Sequence, residues 1–179
     1  MHRLFVAIDL TDEVKRAVTG VQSELRGARW VGAEQLHLTL RFIGDADDLL
    51  LKGIAEGLAG IACNSFPLSL KGIGSFPPRG APRVLWVGLE AGAQLLTLQH
   101  EVEQACRAVG ILPDERPFSP HITIARLKET TPAQVAAYTA QHGSFAVEPF
   151  KVTEFHLYES VLGREGAVHT RLRSYPLRD

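Results

Sequence analysis

Apolar positions along the chain follow two different periods, and each period predicts a different kind of element. Branched and aromatic residues concentrate in 3–9, 36–43 and 66–74, which is typical of β-strands. Apolar residues spaced three and four apart in 12–26 and 47–62 are typical of amphipathic helices. The first part of the chain therefore predicts the order strand, helix, strand, helix, strand.

The same order returns after a segment that cannot be regular. Residues 75–82 contain three prolines and a glycine, so we predict an irregular connection there. The pattern beyond this connection again predicts strand, helix, strand and helix, followed by further strands and a last hairpin, at 83–89, 93–109, 120–126, 132–142, 146–158 and 167–177.

The repeated order predicts an internal duplication, with repeats at roughly 3–75 and 83–160. Each repeat would form an antiparallel sheet with helices on its outer face, which leaves the other face of the sheet uncovered. Two uncovered faces can cover each other across a groove. We therefore expect an α+β fold with two pseudo-symmetric lobes, in which residues 1–179 form a single bilobed domain.

Each predicted repeat contains one copy of a His-x-Thr-x motif, at His37–Leu40 and at His121–Ile124. Side chains of a strand alternate between its two faces, so the histidine and the threonine of each copy share one face. The two apolar residues of each copy then point into the core. We expect both motif strands to face the central groove.

Two imidazoles on opposite sides of a groove suit the chemistry of a phosphate ester. Histidine titrates near neutral pH, so one ring can accept a proton while the other ring donates one. The hydroxyls of Thr39 and Thr123 would donate hydrogen bonds to the non-bridging phosphate oxygens. The doubled motif therefore predicts a phosphate site with an acid and a base, without deciding which histidine is which.

Composition and charge exclude several classes of protein. The net charge of −1 argues against a protein that coats long nucleic acid through many phosphate contacts. The first apolar run ends at Asp9, too early for a signal peptide or a membrane span, so we expect a cytoplasmic protein without a membrane partner. No zinc-ligand spacing, phosphate-binding loop or dinucleotide fingerprint occurs. We expect no metal and no cofactor, and a monomer.

The chain resembles the bacterial and archaeal RNA 2′,3′-cyclic phosphodiesterases, also called 2′-5′ RNA ligases, of the two-histidine phosphoesterase superfamily. The resemblance extends over nearly the whole chain, through RLFVAI, RWVGAEQLHLTLRFIG, PRVLWVGL, FSPHITIAR and LYES. It implies metal-independent opening of the 2′,3′-cyclic phosphate of RNA ends to a 2′-phosphate, with weak reverse ligation. It also implies that His37 is the proton donor and His121 the proton acceptor.

Four further residues are candidates for substrate binding. Alternation places Arg41 on the motif face, whereas Arg126 reaches the groove only if its strand ends or bulges. The resemblance favours Arg126 as a phosphate contact. Phe118, in the loop before the second motif, and Phe42 could each stack on a base. The parity of Phe42 favours the core instead, and solvated side chains are the alternative for both arginines.

Two other functions stay open at this point. The same chemistry could open the cyclic phosphate of a small nucleotide or of an ADP-ribose type of molecule. A catalytically silent RNA-binding module belongs to a different class, and the presence of both histidine–threonine pairs argues against it. The remaining histidines lack the motif and are interpreted as structural or surface residues; they are His2, His100, His142, His156 and His169.

Overall fold

Two antiparallel sheets and four α-helices make up the fold in a computed structural model that describes all 179 residues. The strands are β1 (His2–Asp9), β2 (Ala28–Trp30), β3 (His37–Ala46), β4 (Phe66–Phe76), β5 (Val84–Glu90), β6 (Ile122–Leu127), β7 (Ala146–Val152), β8 (Glu154–Gly163) and β9 (Gly166–Pro176). The helices are α1 (Asp12–Thr19), α2 (Asp48–Ala59), α3 (Ala93–Ala108) and α4 (Pro132–Gln141). The predicted α+β class with two antiparallel-sheet lobes is confirmed. None of the helices combines the length and the apolarity needed to span a membrane.

The two sheets draw strands from both parts of the chain. The first sheet has the order β3-β1-β8-β9, and the second sheet has the order β2-β6-β5-β4-β7. Thus β4 pairs with β5, while β8 crosses back to pair with β1. This exchange of strands connects the two sheets. The internal duplication itself stays a prediction.

The central strand β1 is buried on both of its faces, which reflects its position between β3 and β8. Leu4, Val6 and Ile8 lie in one apolar cluster with the core-facing side chains of the helices. Each such buried aliphatic side chain stabilises the fold by roughly 1.5–3 kcal/mol. Phe5 and Ala7 point to the other face of the sheet, where they are buried as well.

α1 is much shorter than the helix predicted over 12–26, and tertiary hydrogen bonds explain the difference. The Tyr138 hydroxyl donates to the carbonyl of Val21. The Gln22 side chain donates to the carbonyl of Val31 at 2.9 Å. Val21 is still buried, so its helical spacing reflects packing in an irregular segment, and the predicted helix end was wrong.

The last hairpin is formed by β8 and β9 rather than within 167–177. The two strands pair along their whole length, and only Arg164 and Glu165 connect them. Gly166 closes this turn with a φ of +116°, which favours glycine. Consequently all of β9 lies in the first sheet, beside β8.

One extra residue in β3 reverses the alternation of its side chains. The β1 partners of Thr39 and Arg41 are consecutive residues, so Leu40 has no partner and forms a β-bulge. As a result Leu40 and Arg41 are both buried, and the next residue, Phe42, is 46% exposed. Simple alternation predicts the opposite for Arg41 and Phe42, namely that Phe42 is buried and Arg41 is not.

Arg41 lies on the core side of β3 and not in the groove, so its predicted place on the motif face is wrong. Its Nε donates to the Glu103 carboxylate at 2.5 Å, and its two Nη atoms donate to the carbonyls of Phe42 at 2.5 Å and Leu112 at 2.6 Å. Burial opposes the charge of Glu103, but hydrogen bonds from Arg41 and Arg107 hold its pKa below the ordinary value. The guanidinium thus connects β3 to α3.

Substitution of Arg41→Met should destabilise the protein by about 3 kcal/mol, because Glu103 then loses its closest partner while it stays buried. The measurement is the free energy of unfolding in urea. Lys71→Met is the matched control, since it removes an exposed ion pair with Glu90 and should change stability by less than about 1 kcal/mol. Equal losses for the two variants would contradict a structural role for Arg41.

Candidate active site

A groove of about 590 Å³ lies between the two sheets, and both copies of the motif line it. His37 and Thr39 reach it from β3, Thr123 reaches it from β6, and His121 reaches it from the position directly before β6. The prediction that the motif strands face a central groove is confirmed. A groove of this size suits a nucleotide-sized ligand.

β6 carries a bulge at the same motif position as β3. The β5 partners of Thr123 and Ala125 are consecutive, so Ile124 is the unpaired residue. Alternation allows Arg126 to reach the groove only if its strand ends or bulges. The strand does bulge, and Arg126 lines the groove. Phe42 and Arg126, each the sixth residue counted from its motif histidine, thus both lie on the groove side.

Phe118, like Arg41, is a candidate that the structure does not bring to the groove. Its ring is partly buried and packs against the apolar core, where it is removed from water. Two aromatic residues that were not candidates from the sequence also line the groove, Phe5 from β1 and Trp30 from the short strand β2. The strand β2 was not predicted, because three residues are too few to show a period.

The His37 ring is one end of a column of stacked aromatic rings. Its centroid lies 4.9 Å from that of Phe5, and the Phe5 centroid lies 5.1 Å from that of Tyr158. The Tyr158 hydroxyl donates to the Asp9 carboxylate at 2.5 Å, and Arg171 pairs with the same carboxylate. The stacking of these rings holds the His37 ring in one orientation.

Burial lowers the pKa of His37 to about 4, because its aromatic surroundings disfavour the charged ring. The positive charge that the nearby His169 can carry lowers this pKa further. A hydrogen bond to the backbone carbonyl of Gln35 and the charge of Asp9 oppose the shift without reversing it. His37 is therefore neutral at pH 7 in the ligand-free groove.

The His121 ring is held by a different set of contacts. Its Nδ1 lies 2.8 Å from the carbonyl oxygen of Ser119. A carbonyl only accepts, so Nδ1 carries the proton and the neutral ring presents a free lone pair on Nε2. Phe76 packs edge-on against His121 at 5.0 Å, and Trp86 packs against Phe76 at 5.4 Å. Gly74 leaves the space that the Trp86 indole occupies.

The groove contains more cationic than anionic side chains, although the whole protein carries a net charge of −1. Three arginines line it, Arg3, Arg29 and Arg126, together with two glutamates, Glu34 and Glu165. A cleft lined in this way attracts an anion locally.

His169 is a third histidine in the groove, which sequence analysis interpreted as structural or surface. It lies on β9 opposite Ser160 of β8, and both residues line the groove. Only the register of the β8–β9 pair shows which β9 side chains face His37. The sequence around His169 contains no motif that would have identified it.

The fold and the groove together define a class of protein in which two strands, each with a histidine–threonine pair, line one groove. Residues 10–164 match the family model of the 2′-5′ RNA ligase superfamily. The chain belongs to this superfamily, and the predicted family, an enzyme family of cyclic phosphodiesterases, is confirmed.

Individual relatives resemble the chain over almost its whole length. An RNA 2′,3′-cyclic phosphodiesterase of Archaeoglobus fulgidus is 33% identical over 97% of this chain and 99% of its own. The crystal structure of Escherichia coli LigT complexed with 3′-AMP has a TM-score of 0.81 and 28% identity over 99% of both chains. The crystal structure of TT0787 of Thermus thermophilus has a TM-score of 0.81 and 31% identity over 98% of both chains.

The His37 imidazole should titrate near pH 4 in the ligand-free protein, because its pKa is lowered by burial. Inorganic phosphate should raise the midpoint, since a bound anion favours the charged ring. The measurement is the imidazole NMR shift as a function of pH, with a His37→Gln variant to assign the signal. A midpoint near the ordinary value of about 6.5 without phosphate would contradict the buried environment.

Proposed function

We propose that this protein hydrolyses the 2′,3′-cyclic phosphate of RNA ends to a 2′-phosphate, with His37 and His121 as acid and base and without a metal ion. The observation that carries the proposal is that two histidine–threonine pairs, one from each sheet, line a single groove. The names of the relatives support RNA ends as substrate, and the LigT complex with 3′-AMP supports a nucleotide in the groove.

The reaction is an in-line displacement at phosphorus. Nε2 of His121 accepts a proton from water as the water oxygen attacks phosphorus. The bond between phosphorus and the ribose 3′ oxygen breaks, and His37 donates its proton to that oxygen. Thr39 and Thr123 donate hydrogen bonds to the non-bridging oxygens, where negative charge increases in the transition state. The products are a 2′-phosphate and a 3′-hydroxyl.

The contact of His121 with Ser119 suits an acceptor, although His37 makes the same kind of contact with Gln35, so this contact alone does not assign the two roles. The Ser119 carbonyl accepts a hydrogen bond from Nδ1, so the neutral ring has its lone pair on Nε2 before substrate arrives. No rearrangement of the tautomer is then needed for the ring to act as a base.

The surroundings of His37 support its role as donor once a phosphate is bound. The negative charge of the phosphate favours the imidazolium, and this attraction is strong because the ring is shielded from water. The same burial that lowers the pKa of His37 makes its charged form a stronger acid. Substrate binding thus raises the pKa of His37, so that the donor is protonated in the complex.

Arg126 and Phe42 are the proposed substrate contacts beyond the motif. The Arg126 guanidinium offsets phosphate charge from the groove wall. The exposed Phe42 ring, with the Arg3 guanidinium 5.3 Å from its centroid, offers a surface on which a base can stack. When an RNA 5′-hydroxyl replaces water, the same residues support a weak 2′-5′ ligation.

His37→Ala and His121→Ala should each lower kcat by about 10²–10⁴, because each variant loses one proton transfer. The measurement is turnover of a 2′,3′-cyclic nucleotide and of an RNA with a cyclic end, with the product identified as 2′- or 3′-phosphate. His100→Ala, which removes an exposed histidine outside the groove, is the matched control and should leave kcat unchanged. Activity that EDTA abolishes and a divalent ion restores would refute the metal-free mechanism.

The pH profile of kcat/KM should break near pH 4, where His37 titrates in the free enzyme. Bound phosphate raises the pKa of His37, so the corresponding break in the profile of kcat should lie at a higher pH. Steady-state rates between roughly pH 3.5 and 9 measure both profiles. A break at the same pH in both profiles would contradict the rise of the His37 pKa on substrate binding.

A further inference from the structure

The third groove histidine, His169, packs directly against the ring that the mechanism uses as proton donor. Its ring lies edge-on to His37, with centroids 5.3 Å apart and an interplanar angle of 81°. It lies edge-on to Phe5 as well, at 4.9 Å and 76°. In the proposed reaction His37 donates to the leaving oxygen, which places a group that packs against His37 near the phosphate.

The two ring nitrogens of His169 are in different environments. Nδ1 is buried and has no hydrogen-bond partner. An N–H buried without an acceptor is costlier than an unpaired lone pair, so the proton of the neutral ring belongs on Nε2. Burial also lowers the pKa of His169, which agrees with a neutral ring. Of the two ring nitrogens only Nδ1 is buried without a partner, and the residue lines the groove, so Nε2 is the nitrogen that can present an N–H donor to the groove.

We propose that His169 is a third phosphate-binding residue, which donates a hydrogen bond from Nε2 to a non-bridging oxygen of a phosphate held beside His37. This inference rests on the proposed function for the identity of the phosphate as a ribose cyclic phosphate. Thr39 and Thr123 are also neutral donors, so His169 would add a third uncharged donor beside the charged Arg126. Neutrality matters here, because a cation at position 169 would disfavour the imidazolium of His37.

The alternative is that His169 only fills space against Phe5 and His37. Two substitutions separate the two roles. His169→Phe keeps an aromatic ring and removes the donor, whereas His169→Gln keeps an N–H donor near the position of Nε2 and removes the ring. Thr170→Ala changes the next residue of β9, which is exposed and does not line the groove, and serves as the matched control.

The probe is inorganic phosphate, with its Kd measured by ³¹P NMR, alongside kcat/KM for a 2′,3′-cyclic nucleotide. In His169→Phe the loss of one hydrogen bond to a charged oxygen should raise the Kd of phosphate and lower kcat/KM, each by about tenfold or more. His169→Gln should stay within about threefold of the wild type, as should Thr170→Ala.

Thermal unfolding of each variant shows whether it folds. If His169→Phe does not fold, His169→Asn replaces it, because its shorter amide lies nearer to Nδ1 and should bind phosphate as weakly. Phosphate binding by His169→Phe that equals the wild type, or a His169→Gln variant that folds and binds as poorly as His169→Phe, would overturn the inference. A wild-type protein that does not bind phosphate would overturn it as well.

The phosphate measurement also separates this inference from the proposed function. A wild-type protein that binds phosphate through His169 without turning over cyclic nucleotides would support the inference and contradict the proposed reaction. Turnover by the wild type that His169→Phe leaves unchanged would contradict the inference alone.

Discussion

The bulge at the fourth residue of each motif decides which side chains reach the groove. Before the bulge, alternation places the histidine and the threonine on the groove face. After it, the order is reversed, so that Phe42 and Arg126 face the groove while Arg41 turns to the core. One strand can therefore present a histidine–threonine pair to the groove at one end and a further groove-lining side chain at the other. A regular strand with the same sequence would expose Arg41 and bury Phe42.

The two motifs are chemically alike, but their surroundings differ. His37 lies against Phe5 in a column of aromatic rings, which makes its charged form costly. Both rings donate to the carbonyl two residues earlier, of Gln35 for His37 and of Ser119 for His121, so the aromatic burial of His37 is what distinguishes the two histidines. Groups of the same type acquire opposite roles in acid–base catalysis when their environments differ in this way.

The exchange of strands between the sheets completes the groove wall. Because β8 crosses back to β1, the ring of Tyr158 supports Phe5 from behind, and β9 brings His169 beside His37. The last part of the chain thus builds the environment of a histidine near its beginning. In turn, Trp86 and Phe76 support His121 in the second sheet.

Local patterns along the chain were enough to predict most of the elements, the class of fold and the four residues of the doubled motif, because strand periodicity and a repeated His-x-Thr pattern are local signals. The positions of Arg41, Phe118 and His169 became known only from the folded chain. A bulge depends on the register between two strands, and the end of α1 depends on hydrogen bonds from distant residues such as Tyr138. Register and long-range contacts arise from the packing of the whole chain, so no local pattern encodes them.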